Sequence, residues 1–235
     1  MNLQASSNAF ADERKTAPYE SGTTHRLTGR LARRLPASAL VLAALLTGAF
    51  SATHAIAGSP AFTVSSPDLA SGTFDKKFTL NAFGCTGSNV SPSIKWSNLP
   101  AGTKSLALQV QDQDAPAGNS FWHWTVYNIP ASATGLPQGA GNIPNTLPAP
   151  AVNGANDFLD TGATGENGNY GGPCPPAGDK PHHYVFTLYA LAVDNLEAAS
   201  GIPKTGTSGL HSFILNKGLG DKLLGIASFS ASYGR

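Results

Sequence analysis

The sequence predicts a mainly β fold in one domain, and three observations carry that prediction. Glycine and proline are dense, 26 and 17 in 235 residues, and beyond Gly58 they interrupt almost every window long enough for a helix of several turns. Between these breaks short apolar–polar alternations recur, the pattern of strands joined by turns. Only 12% of residues are charged and 41% are hydrophobic, which excludes a coiled coil, a solvated charged tail and a disordered chain.

The first 57 residues stand apart. Residues 1–25 are polar and irregular; Arg26, Arg30, Arg33 and Arg34 then precede the apolar run Leu40 to Phe50, and small residues follow at Ala55-Ile56-Ala57. A basic segment, an apolar core of about ten residues and an A-x-A site form the layout of an export signal cleaved near Ala57. The apolar run falls well short of the roughly 20 residues that span a bilayer. The chain therefore divides into an export region, 1–57, and a single domain, 58–235, expected in the periplasm or secreted and without a membrane span once cleaved. The leader holds six of the 15 basic and three of the 14 acidic residues, so the formal charge of +1 becomes nine against eleven, or −2, in the domain. No cluster of Lys and Arg remains there to form a footprint on phosphates, which argues against nucleic acid as a partner.

Strands are expected in order at Phe62 to Val64, Lys77 to Asn81, Ile94 to Trp96, Ser105 to Gln111 and Trp122 to Ile129. The fourth alternates cleanly, and the fifth is rich in aromatic and β-branched residues. Residues 131–181 have no periodicity and are dominated by Gly, Pro, Asn and Ala, as in a long functional loop region. His183 to Ala192 is a nearly continuous apolar run, the pattern of a central strand buried on both faces. Ser208 is placed to cap a modest helix toward Leu224, weakened by Gly218 and Gly220. A last strand is expected from Ile226 to Tyr233.

Both cysteines, Cys85 and Cys174, lie in the domain. In an oxidising compartment they either pair, closing a loop of about 90 residues, or stay as two small buried thiols; the sequence leaves both open. Three histidines have suggestive settings. His123 lies between Trp122 and Trp124 and, by strand alternation, points away from both; His182 and Tyr184 share one face while His183 takes the other. If their strands join one sheet, His123, His182 and Tyr184 converge beside Asp112 and Asp114. The plainer reading is of ordinary sheet residues with satisfied hydrogen bonds.

Several separated blocks together resemble the phosphatidylethanolamine-binding protein family, and more closely its bacterial Raf-kinase-inhibitor-like branch. They are Asp112-Gln113-Asp114-Ala115-Pro116, Trp122-His123-Trp124 with Asn128 four residues on, Asn156-Asp157-Phe158, and Gly171 to Gly178 leading into His182-His183-Tyr184. The resemblance covers roughly residues 60–235. It implies a large central antiparallel sheet, a smaller second sheet, one or two short C-terminal helices, and a pocket for phosphate-like or carboxylate anions. By motif position it assigns that pocket to Asp112, His123, His182 and Tyr184, with Asp114 and Pro116 shaping its turn and Gly172 and Pro173 on the following loop. Gln113 stands where the family usually has proline, which makes the turn between the aspartates less rigid.

Two imidazoles and a phenol can hold anionic oxygens without a lysine. A neighbouring carboxylate is expected to raise a histidine pKa, and the Gly171-Gly172 backbone to add N–H donors. The implied function is an exported, non-enzymatic binding protein for a small anion such as phosphate or phosphoethanolamine, without cofactor, that modulates a partner protein. Two alternatives remain at this level: a protease inhibitor acting through an exposed loop such as 131–155, and a hydrolase using His123 with Asp112, for which no nucleophile motif is present. His123, His182 and Asp112 are a loose metal set at best, since no H-E-x-x-H spacing occurs.

Overall fold

In a computed structural model of the chain, the structure describes residues 59–235 apart from 160 and 167, so the expected leader lies outside the described residues. The strands are β1 (Thr63–Ser65), β2 (Ile94–Ser97), β3 (Ser105–Asp112), β4 (Phe121–Pro130), β5 (Gly135–Leu136), β6 (Val152–Asn153), β7 (His182–Leu191) and β8 (Leu223–Tyr233). A large sheet runs β6-β4-β3-β7-β8 and a small one β1-β2-β5. Every pairing of these strands is antiparallel. The mainly β architecture with a large and a small sheet is therefore as the sequence predicts.

Strand β3 sits at the centre of the large sheet. The clean alternation of its sequence suggests one wet face, yet both faces are covered. Leu106, Leu108 and Val110 pack into a core with Val64, Ile94 and Leu136 of the small sheet. On the other face Ala107 joins Tyr127, Tyr189, Leu196, Leu215 and Leu219 beneath the helices. Gln109, polar in the alternation, is buried there and donates from Nε2 to the Ser208 carbonyl at 3.2 Å.

The helices are short. Helix α1 (Leu196–Ser200) is capped by Asn195, whose side chain accepts from Ala198 N–H at 2.7 Å, and stops at Gly201 with φ 73°. Helix α2 (Ser208–Phe213) is capped by Thr207 rather than Ser208, because the Ser208 hydroxyl instead donates to the Ala155 carbonyl at 2.7 Å. It widens into a π turn at Ile214–Gly218 and ends in a 3-10 turn at Gly220–Lys222 before β8 begins.

One expected strand is absent. Lys76–Phe78 forms a 3-10 turn, and the segment that follows folds back on itself: Gly87 N–H donates to Leu80 O and Asn89 N–H to Thr79 O, while Leu80 N–H reaches Pro173 O at 3.1 Å. Phe78 and Leu80 are buried. The apolar spacing there records a loop pressed onto the core, whose backbone bonds go to its own return and to the 173 segment instead of a ladder.

Candidate functional site

Three neighbouring strands end at one corner of the large sheet. Register sets Phe121, Asp112 and Tyr184 side by side on β4, β3 and β7, hence on one face, and His182, two residues before Tyr184, shares it. His123, two residues after Phe121, shares this face too, and a bulge begins there. Trp122 lies opposite Gln111 and Trp124 opposite Val110, which leaves His123 as the extra residue. Its ring packs edge-on at 5.1 Å from Tyr184 and 5.1 Å from Phe121. Simple alternation therefore holds against Trp122 only; the bulge puts Trp124 on the same face as His123.

A cavity of about 290 Å³ opens over this corner, bounded by Asp112, His123, His182 and Tyr184 and by apolar groups from four loops, among them Leu80, Phe83, Pro116, Phe158 and Pro176. Those loops are tied down. A disulfide joins Cys85 to Cys174, which settles the pairing left open by the sequence, and Arg235 Nε donates to the Pro175 carbonyl at 2.7 Å. Asn156 carries Phe158 into place: its Nδ2 donates to the carbonyls of Asn169 and His123 at 2.6 and 3.3 Å, and its Oδ1 accepts from Phe158 N–H at 3.1 Å.

The polar end is organised by hydrogen bonds. His182 Nδ1 lies 2.7 Å from Asp112 Oδ2, and Asp112 Oδ1 accepts from Asp114 N–H at 3.0 Å. With both oxygens engaged, Asp112 orients His182 and is not itself a contact for an anion. Asp179 Oδ2, on the loop before β7, lies 3.5 Å from His182 Nε2. His123 Nδ1 is 2.7 Å from the Gly171 carbonyl; a carbonyl only accepts, so Nδ1 carries the proton and Nε2 is bare in the neutral ring. Burial pushes the His123 pKa down to about 4, against the opposing pull of the Gly171 carbonyl and the Asp112 charge. The Asp112 carboxylate does pull the His123 pKa upward, as expected of a neighbouring carboxylate, but desolvation outweighs it and the net shift is downward.

Tyr184 is only 1% exposed, and its hydroxyl has no hydrogen-bond partner among the described residues. Burial first, then the Asp112 charge, hold its pKa above the ordinary phenol value, so it remains a donor.

Other residues expected at the site are placed differently. Pro116 lines the cavity, but Asp114 does not; its Oδ2 accepts from the backbone and the ring of His183 at 2.7 and 2.8 Å on the outer surface. Gly171 N–H donates to His123 O and Gly172 N–H to Asn89 Oδ1 at 2.8 Å. Neither is free for a ligand, which corrects the expected backbone donors. Pro173 does not line the cavity; its carbonyl accepts from Leu80 N–H at 3.1 Å. Gln113 N–H donates to His183 O at 3.1 Å, a bond that the family's proline lacks the hydrogen to make. Sequence reasoning missed the aromatic wall, although Phe121, two residues from His123 in a strand, carried the alternation signal for it. Among the described residues no three His, Cys, Asp or Glu side chains are grouped to hold a metal ion, and no helix is long and apolar enough to cross a membrane.

Comparison with known proteins places this geometry. A family model described as phosphatidylethanolamine-binding protein matches residues 70–229. The UPF0098 protein YbcL of Escherichia coli is 47% identical over 142 residues, 60% of this chain and 74% of its own length. The YbcL crystal structure, described as a new member of the mammalian PEBP family, superposes with a TM-score of 0.64 at 39% identity, covering 74% of this chain and 98% of that one. A putative phosphatidylethanolamine-binding protein homologue from Chlamydia trachomatis, CT736, gives a TM-score of 0.56 at 28% identity over the same shares, 74% and 98%. Putative lipoprotein LppC of Mycobacterium tuberculosis is 43% identical over 111 residues, 47% of this chain and 48% of its own length. With a matching family model over most of the domain and relatives that share both its sequence and its sheets, the chain belongs to the phosphatidylethanolamine-binding protein family.

Proposed function

We propose that the chain is an exported binding protein whose cavity holds a small oxyanion, either phosphate or the phosphate of a headgroup. The observation that carries this reading is the Tyr184 hydroxyl, buried and unpartnered at the polar end of the cavity. A buried donor without a partner costs about 1–3 kcal/mol, and an anionic oxygen removes that cost while meeting His123 and His182. A binding role rather than hydrolysis is supported by the lining, which among the described residues includes no Ser, Thr or Lys, and whose Cys174 sulfur is locked in the disulfide. Export is supported by the basic-then-apolar leader in the sequence, by the disulfide, which fits an oxidising compartment, and by a relative named as a lipoprotein.

Proton linkage follows from His123. An anion favours the protonated ring, so its affinity rises as pH falls, and with a free-protein pKa of about 4 the rise continues toward that pH instead of levelling just below the ordinary histidine value. Crystals grown with phosphate test the site: density within hydrogen-bonding distance of Tyr184, His123 and His182 is expected, and an empty cavity at saturating phosphate contradicts the reading. Recovery of the protein in the periplasmic fraction with a new N-terminus near Gly58 tests export.

A further inference from the structure

The large sheet has two edges, and they are not alike. Strand β6 forms one with two residues, Val152–Asn153, and β8 forms the other with eleven, Leu223–Tyr233. The hydrogen-bond pattern fixes which backbone groups of β8 are free. Gln113 N–H donates to His183 O, so the odd residues of β7 turn toward β3 and the even ones toward β8. Register then makes Ala227, Phe229 and Ala231 the residues that bond to β7, and it turns the N–H and C=O of Ile226, Ser228 and Ser230 outward, away from the sheet. Ser232 confirms the parity: its N–H donates to Gly72 O at 2.8 Å and its C=O accepts from Phe74 N–H at 3.1 Å, across a parallel bridge to Thr73. Among the described residues no backbone partner meets the other three.

We infer that this open stretch, Ile226 to Ser230, is a docking edge for an extended, uncharged segment of another protein, which adds a strand to the five-stranded sheet. Exposed edges are commonly guarded by charge, by proline or by shortness. Over its eleven residues β8 has no charged residue and no proline, so it offers no charge for a partner to pair with. Its side chains state the rest of the partner's chemistry. On one face Phe229 is partly buried and stacks on Phe186 at 4.6 Å with an interplanar angle of 10°, and an apolar side chain set beside it completes its burial. On the other, Ser228 and Ser230 are exposed and accept a polar neighbour. The room also limits the occupant. A second copy's β8 paired antiparallel about Ser228 would set its residues 223–225 opposite 231–233, where Gly72 to Phe74 already lies. A short segment fits where an eleven-residue strand does not.

Nuclear magnetic resonance of the chain, titrated with an acetylated and amidated Thr-Val-Thr-Val-Thr peptide, tests the inference. Binding at about millimolar concentration is expected, with amide hydrogen exchange at Ile226, Ser228 and Ser230 slowed about tenfold when the peptide stands at about ten times its dissociation constant. The amides of Ala227, Phe229 and Ala231, already bonded to β7, are expected to keep their rates. Ser230→Pro deletes one outward N–H without touching the β7 ladder and is expected to weaken peptide binding at least about tenfold, whereas Ser230→Ala leaves it unchanged. A peptide of the same length made only of serine, with no apolar side chain for Phe229, is expected to bind about tenfold more weakly. Unchanged exchange at the three outward amides with about 10 mM peptide overturns the inference, as does equal binding by Ser230→Pro or of the serine peptide. A dimer of the free chain in sedimentation that Ser230→Pro dissolves overturns it as well, because the occupant is then a second copy.

Discussion

Two histidine–aspartate pairs, built from adjacent histidines and from aspartates separated by one residue, have nearly the same length and opposite settings. His182 meets Asp112 at 2.7 Å with each side chain 5% exposed; His183 meets Asp114 at 2.8 Å with exposures of 63% and 46%. Strand alternation separates the two histidines, whereas the aspartates part because β3 ends at Asp112 and Asp114 lies in the turn beyond it, so that one pair faces the cavity and the other solvent. The contact is the same, but its energetic weight is not. An exposed pair is screened and contributes about 1 kcal/mol or less, whereas breaking a buried one by removing a partner costs about 3–5 kcal/mol.

The sharpest way to break this comparison is to remove each aspartate in turn. Asp112→Ala strands the buried His182 Nδ1–H and the Asp114 N–H, and is expected to lower unfolding stability by about 3 kcal/mol; Asp114→Ala is expected to lower it by less than about 1 kcal/mol. Denaturant titration measures both, and equal losses would mean that burial does not distinguish the pairs.

Acid offers a second separation, of nearly the same size. In the unfolded chain His123 takes up a proton near 6.5, but in the fold only near 4. The stability from keeping it neutral is therefore complete above about 6.5 and is lost as pH falls between those values, by roughly 3 kcal/mol. His211, also lowered by burial, adds a loss of the same sign. At the surface, the His183 hydrogen bonds lower the Asp114 pKa, so its contribution is present above the ordinary carboxylate value of 3.8 and disappears only below it. A melting temperature followed from pH 7 to pH 3 should show the buried loss first, and His123→Ala should flatten that part of the curve. A flat profile down to pH 4 in the parent protein would place His123 in a wetter setting than its burial indicates.

The smallest effect belongs to the turn between the aspartates. Gln113→Pro restores the family's residue but removes the N–H bond to His183 O. That loss is about 1 kcal/mol, and the stiffer unfolded chain returns about 0.4–1 kcal/mol. A change in unfolding stability within about 0.5 kcal/mol of zero is expected, and a large loss would mean that this bond aims both aspartates.

Much of this was legible in the sequence because it rests on alternation and on turn residues. Strands β3, β4, β7 and β8, the opposite facing of His182 and His183, and the convergence on Asp112 follow from alternation and apolar runs, whereas β5 and β6 lie in the stretch 131–181 that has no periodicity and were not legible. What was not legible depends on neighbours that the chain brings in from afar. The bulge that brings Trp124 onto the same face as His123 leaves no mark in Trp122-His123-Trp124. The loop at 77–81 mimics a strand because Phe78 and Leu80 are buried by the core rather than by a ladder. The Gly171 and Gly172 N–H groups looked available until His123 O and Asn89 Oδ1 were found against them. The depressed His123 pKa likewise comes from burial that the flanking sequence does not reveal.

Tyr184→Phe tests the central claim most directly, because it deletes only the hydroxyl that the fold leaves without a partner. The account predicts that phosphate affinity, measured by calorimetry, falls at least about tenfold, while the melting temperature stays level or rises, since an unsatisfied buried group has been removed. Unchanged phosphate binding, or a melting temperature that drops as if a native hydrogen bond had been lost, would contradict it.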